Sequence, residues 1–228
     1  MTSYAAGRAL ALAGALTALL AAVLAAGCAA PAEPDVPAAG DGVARVSTPR
    51  DTTGFAGTVL DEPYRMPALR FTDTAGRPFH LVRDTRAAVT VVFFGYTHCP
   101  DVCGTVLADA AAALRRAAPA VRARVQLVFI TTDPARDSPA VIRDYLDRFH
   151  PAFVGLTAPL PTVARAAAAL GVALEEDHHR LAGGGYEVAH GAQLIGFDAR
   201  DRGRVVWTPG TPVADLRADL TRLATTPG

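Results

Sequence analysis

The chain has 228 residues, half of them hydrophobic, with 22 basic and 22 acidic side chains and a formal net charge of zero. That length admits one substantial domain and little more, and the hydrophobic content excludes a disordered acidic chain. The neutral balance leaves no electrostatic footprint for nucleic acid.

Every basic residue is Arg, which together with the abundant Ala reflects coding bias and carries no functional information. Arg8 precedes an unbroken stretch of Ala, Leu, Val, Gly and one Thr, Ala9 to Ala26, which ends in Leu24-Ala25-Ala26-Gly27-Cys28. A charged start, an apolar run and small residues at its end read as a secretory signal over residues 1–27. The last five of these residues resemble a bacterial lipobox, which implies cleavage before Cys28 and a lipid on its thiol. The alternative is an uncleaved anchor, since about 18 apolar residues is the lower limit for spanning a bilayer. Either reading puts the remainder on the outer face of the cytoplasmic membrane. Residues 28–53, rich in Pro, Ala, Gly and Asp and without an aromatic, cannot bury enough surface to offset their ordering entropy. They read as a flexible tether, with the folded domain in 54–228.

Within that domain Leu69–Phe71 and Pro78–Val82 flank the turn signal Asp73-Thr74-Ala75-Gly76, predicting an opening hairpin. Ala88–Phe94 is a continuous β-branched and aromatic run, as expected of a buried central strand. From Cys103 to Ala117 apolar residues recur at helical spacing, with Pro119 just beyond. Val125–Ile130 reads as a second buried strand. Ser138-Pro139 supplies an N-cap and a first helical position for a helix reaching about Phe149. Ala152–Leu156 reads as a short strand, and Pro161–Leu170 as a helix stopped by Gly171. Glu187–Phe197 and Arg204–Trp207, around Asp201-Arg202-Gly203, predict a closing hairpin before a last helix, Pro212–Leu223. The alternation argues for an α/β sheet covered on both faces, with antiparallel edges from the hairpins.

If Cys28 carries lipid, two cysteines remain, Cys99 and Cys103, four apart. One bridge across so short a loop stabilises little, so the pair is there for chemistry. It falls where a buried strand hands over to a helix start, and the N–H groups and positive dipole end there favour a thiolate. Residues four apart on a helix share a face. Reversible dithiol–disulfide exchange and binding of a soft metal such as Cu(I) fit equally well, and spacing alone does not separate them. A third ligand would.

The stretch Phe94-Gly95-Tyr96-Thr97-His98-Cys99-Pro100-Asp101-Val102-Cys103 resembles the copper-site motif of the SCO/SenC family. Thr131-Thr132-Asp133-Pro134-Ala135-Arg136-Asp137-Ser138-Pro139 is similar to that family's second hallmark, and Val188-Ala189-His190-Gly191 stands where the family carries a metal-binding His. The resemblance runs in order from about Gly54 to Leu223. It implies a thioredoxin-like fold, a central mixed sheet flanked by helices with added β-hairpins. It also implies a copper site with Cys99 and Cys103 as thiolate ligands and His190 as a neutral imidazole, holding Cu(I) or, alternatively, Cu(II). The partner it implies is cytochrome c oxidase subunit II, whose dinuclear copper centre the family helps assemble, or another copper chaperone.

Asp133 ends the strand beside the thiol strand and can orient a ligand or a partner from there. The plainer account is local: Asp133-Pro134 starts a turn, with Arg136 and Asp137 paired near the helix cap. His98 reads as a residue that tunes its neighbour's thiol, and His178-His179 as part of a solvated polar loop before Gly183-Gly184-Gly185. Gly104 replaces the family's usual Pro and Gly191 its usual Ser or Thr, which loosens the helix start and the His respectively. The favoured function is a membrane-anchored copper metallochaperone. The rivals are a thiol–disulfide reductase that keeps the oxidase's copper-site cysteines reduced, and a redox or copper sensor. A peroxidase is disfavoured, because its nucleophile would be a lone cysteine.

Overall fold

The computed structural model describes residues 54–175, 179–180 and 186–226, the pair 179–180 by backbone alone. All lie in the compact unit Thr48–Gly228. The signal segment, Cys28, the tether, His178 and Gly183-Gly184-Gly185 fall outside the described residues.

The centre of the fold is β4 (Val89–Gly95), every residue of which is buried. It pairs in parallel with β5 (Val125–Thr131), which pairs in parallel with β6 (Val154–Thr157). Each parallel step is bridged by a helix, α2 (Val102–Arg116) between β4 and β5 and α4 (Pro139–Asp147) between β5 and β6. The opening hairpin is β2 (Arg70–Asp73) with β3 (Pro78–His80), and β2 runs antiparallel to β6. On the other side, β9 (Leu194–Phe197) lies antiparallel to β4 and to β10 (Arg202–Trp207). The edge beyond β10 is β1 (Thr58–Arg65). The mixed eight-stranded sheet thus reads β1-β10-β9-β4-β5-β6-β2-β3 and does not close.

The continuous apolar run of β4 makes sense because both its faces are covered. Val89, Val91 and Phe93 meet Leu107, Ala110 and Leu114 of α2, Ile142 and Leu146 of α4, and Leu216 and Leu220 of the last helix. Val92 and Phe94, pointing the other way, join Val163, Ala166 and Ala167 of α5 (Leu160–Ala169). The last helix, α6 (Val213–Thr225), is secured by the buried Asp219, which accepts hydrogen bonds from Trp207 Nε1 at 2.8 Å and Gly57 N at 2.9 Å.

Several local expectations are corrected. Leu81 and Val82 do not continue β3 but open a short helix, α1 (Leu81–Asp84), capped by His80. Pro119 begins a second short helix, α3 (Pro119–Arg122), instead of only ending α2. The strand expected over Glu187–Phe197 is confined to Leu194–Phe197. Glu187 instead belongs to β8 (Tyr186–Glu187), paired with β7 (His179–Arg180) in a separate ribbon. β1 escaped sequence reading because Asp61-Glu62-Pro63 breaks its alternation, and its pairing shifts register between Val59 and Tyr64. No helix among the described residues is long and apolar enough to cross a membrane.

Candidate metal centre

β4 ends at Gly95, and a turn closed by Cys99 N–H on the Tyr96 carbonyl (3.3 Å) delivers the first thiol to the N-terminus of α2. Asp101, at the cap position, makes no side-chain capping bond, so N–H groups of the first turn are available to the sulfur instead. Gly95 leaves little room at the strand end: a Cβ there would stand 3.0 Å from the Phe129 ring and 3.2 Å from Cys103 Sγ. Gly104, by contrast, has nothing nearer than Phe149, at 4.0 Å.

His190 arrives from the other side of the sheet. The segment before β9 is pinned to the residues that follow α5, through Glu175 N–H on the Ala189 carbonyl (3.0 Å) and Gly191 N–H on the Ala173 carbonyl (2.8 Å). These bonds hold His190 through the backbone, so the loosening expected from Gly191 is compensated. His190 Nδ1 lies 3.0 Å from the Gly191 carbonyl and Nε2 lies 3.4 Å from Cys103 Sγ. With Nδ1–H donating to that carbonyl, Nε2 presents its lone pair toward the thiols. The Tyr96 ring meets the imidazole edge-on, centroids 5.7 Å apart.

The donor atoms of Cys99, Cys103 and His190 all lie within 4.8 Å of one another. Both cysteines are free thiols, Cys99 partly exposed and Cys103 buried. A hydrogen bond from the Cys103 thiol is the largest influence on Cys99. Burial opposes it, but the His190 ring and the N–H groups of Asp101 and Cys103 add to it, and the Cys99 pKa falls to about 3. Cys103 moves the other way, raised far above the usual thiol range by donating that bond and by burial. In the metal-free state the pair therefore carries one negative charge, seated on the outer sulfur. Two sulfurs and one imidazole nitrogen form a soft, low-coordinate donor set, suited to a thiophilic monovalent ion and unsuited to Mg or Ca. A cleft of about 420 Å³, lined among others by Tyr96, Cys99, Val188 and His190, opens onto it.

The second sequence hallmark lies behind this site, and Asp133-Pro134 starts a turn there as expected, with Arg136 N–H (3.2 Å) and Asp137 N–H (3.0 Å) on the Asp133 carbonyl. Arg136 does not pair with Asp137. Its Nε pairs with the buried Asp133, and its guanidinium stacks 3.7 Å over the Tyr186 ring. Asp133 also accepts from the Tyr186 hydroxyl at 2.9 Å, and it is not among the three convergent donor groups. Asp137, fully buried, accepts from Thr97 N (2.9 Å), Thr97 Oγ1 (2.6 Å) and Thr131 Oγ1 (2.6 Å). The helix cap itself is Ser138, as expected, whose Oγ accepts from Val141 N at 3.3 Å. His98 stays on the surface beside Thr97 Oγ1, 3.0 Å away. Sequence reasoning assigned no role to Tyr96, Thr97 and Tyr186, and gave Asp137 only a local pairing with Arg136. Tyr96, Thr97 and Asp137 sit inside the two motifs, and Tyr186 carries no local signal.

Over residues 61–225 the sequence matches the profile of the SCO1/SenC family. The chain belongs to that family. Its relatives include a protein of Stutzerimonas stutzeri named for copper binding, 33% identical over 153 residues, a match that takes in 64% of this chain and 72% of the relative. Against mitochondrial family members of yeast and Arabidopsis the match spans only 27–34% of the relative's length. Among solved structures, apo Sco1 of Thermus thermophilus is 33% identical, with a TM-score of 0.66 over 74% of this chain and 96% of that one. Copper-bound ScoI of Bradyrhizobium japonicum is 30% identical, with a TM-score of 0.58 over 73% and 98%. The open mixed sheet flanked by helices is the thioredoxin-like fold of these Sco structures.

Proposed function

We propose that this SCO1/SenC protein is a copper metallochaperone, binding Cu(I) through Cys99, Cys103 and His190 and delivering it toward the dinuclear copper centre of cytochrome c oxidase. The observation that carries the reading is the convergence of two sulfurs and one imidazole nitrogen within 4.8 Å, from segments 87 residues apart. The copper-bound ScoI relative supports the choice of metal. Copper is the cargo here. Cys99, ionised and partly exposed, meets it first, Cys103 gives up its proton on binding, and His190 Nε2 completes the set. Release follows the reverse order, as a partner's thiolates enter through the cleft and replace ligands one at a time. The working partner is oxidase subunit II or another copper chaperone. The protein works on the outer face of the cytoplasmic membrane, tethered through a lipid on Cys28.

The deciding experiment is an anaerobic titration of the reduced protein with Cu(I), beside His190→Ala. One copper per chain, bound at least tenfold more weakly by the variant, is expected. Binding indifferent to His190 overturns the three-ligand assignment.

A second reading, thiol–disulfide reduction of a partner, is favoured by the asymmetry of the pair. Cys99 is an ionised, partly exposed nucleophile with a buried thiol behind it. Copper-free protein that reduces a peptide disulfide stoichiometrically, becoming oxidised at Cys99–Cys103, while binding Cu(I) only weakly, would put this reading first.

A further inference from the structure

The three donor atoms ride on two segments: the turn after β4 with the first turn of α2, which carries Cys99 and Cys103, and the loop before β9, which carries His190. The β4–β9 ladder ends at Phe93 and Leu194, short of all three donors. Both segments are instead tied to the same five residues, Asp133–Asp137, between β5 and α4. We infer that this loop sets the donor geometry through two separate grips, Asp137 on the thiol turn and Asp133 with Arg136 on the segment leading to His190.

The first grip is a fully buried carboxylate with no Arg partner among the described residues. Burial of such a charge is costly unless its oxygens are satisfied. Two of its three close hydrogen bonds reach 40 residues back to Thr97, the backbone N–H at 2.9 Å and the hydroxyl at 2.6 Å. Thr97 stands two residues before Cys99. Thr132 N–H on the Gly95 carbonyl, at 2.7 Å, closes the same seam. A carboxylate serving only its own turn would be satisfied locally, and this one is mostly spent on the thiol turn.

The second grip is built on Tyr186, four residues before His190. Its hydroxyl donates to Asp133 Oδ1 at 2.9 Å, and Arg136 lies over its ring at 3.7 Å. Arg136 also faces the Tyr96 ring at 5.6 Å, the ring that abuts His190. Cation–π contacts of this kind are planar and directional, so they position the segment as well as hold it.

The inference rests on the copper reading for its purpose, but the test separates the two. In the full-length protein, Thr97→Val removes the hydroxyl bond to Asp137 and keeps the backbone one. Tyr186→Phe removes the bond to Asp133 and keeps the ring under Arg136. Two readouts need no metal. The first is the equilibrium in which oxidised glutathione takes two electrons and the one shared proton from Cys99 and Cys103, with a second proton from water, forming their disulfide and two molecules of reduced glutathione. The second is the carbon-bound proton resonances of the His190 ring.

Thr97→Val is expected to lower the disulfide equilibrium constant about tenfold, as loss of a hydrogen bond to a charged group predicts, and Thr97→Ser to restore it. Tyr186→Phe is expected to leave that constant within about twofold and to displace the His190 resonances. Either valine or phenylalanine variant weakens Cu(I) binding about tenfold in competition with a Cu(I) chelator. Variants that lower only the melting temperature, or that move both metal-free readouts alike, overturn the two-grip arrangement. A wild-type protein that binds no Cu(I) refutes the copper reading alone, since the metal-free readouts still decide the grips.

Discussion

Cys99 and Cys103 are the same side chain in opposite states, and the difference comes from position at the helix start, Cys99 on the turn before α2 and Cys103 inside its first turn. Cys99 receives hydrogen bonds from Cys103 and two backbone N–H groups, whereas Cys103 is buried and donates. The consequence is measurable in metal-free protein. With its pKa near 3, Cys99 is expected to react with iodoacetamide at a rate nearly flat from about pH 5 to pH 8, while Cys103 resists. Cys103→Ser keeps a donor but a weaker match, and Cys103→Ala removes it. In the alanine variant the Cys99 rate should climb with pH as an ordinary thiol's does. A rate profile unchanged in Cys103→Ala would refute the shared-proton account.

At the scale of elements, the β4–α2 junction is where strand geometry is converted into ligand geometry, and its two glycines have opposite meanings. Gly95 is packed on three sides by Phe93, Phe129 and Cys103 Sγ. Gly95→Ala should cost about 1–3 kcal/mol by overpacking and weaken Cu(I) binding by displacing the inner sulfur. Gly104 sits in the first turn of α2 with open space around it. Gly104→Ala should add about 1 kcal/mol by removing the glycine's conformational freedom, raising the melting temperature by roughly 2–4 °C with no loss of metal binding. Calorimetry beside a Cu(I) titration checks both, and a stabilising Gly95→Ala would show that the junction is not tightly packed.

Across the whole molecule, acid sensitivity is distributed over carboxylates far from the site. Burial pushes Asp73 upward, but the Arg77 backbone and guanidinium and the Ala75 N–H outweigh it and hold its pKa below 3.8. Asp198 is depressed in the same way by Arg202 and Arg200 against its own burial. A folded-state pKa below the unfolded one gives stability that is complete above the unfolded value and is lost as pH falls through the folded one. The melting temperature should therefore decline below about pH 4, and Asp73→Asn should flatten part of that decline while lowering stability at neutral pH. Thermal melts from pH 2.5 to pH 7 read this out, and an unaltered acid slope in Asp73→Asn would count against it.

Much of this was legible in the chain alone, because the features concerned are local. The apolar run of β4, the Ser138-Pro139 cap, the Asp73–Gly76 turn and the thiol pair at a helix start each follow from neighbouring residues and their periods. The same holds for the family motifs around Cys99 and Asp133. What tertiary structure decided is whatever depends on residues distant in sequence. It placed the imidazole 3.4 Å from Cys103 by pinning the His190 loop to the residues after α5. It divided one proton between two thiols, and it took Arg136 from Asp137 and gave it to Asp133. Sequence period reports which face a side chain occupies, but hydrogen-bond partners and desolvation depend on what packs against that face, and only the folded chain determines that.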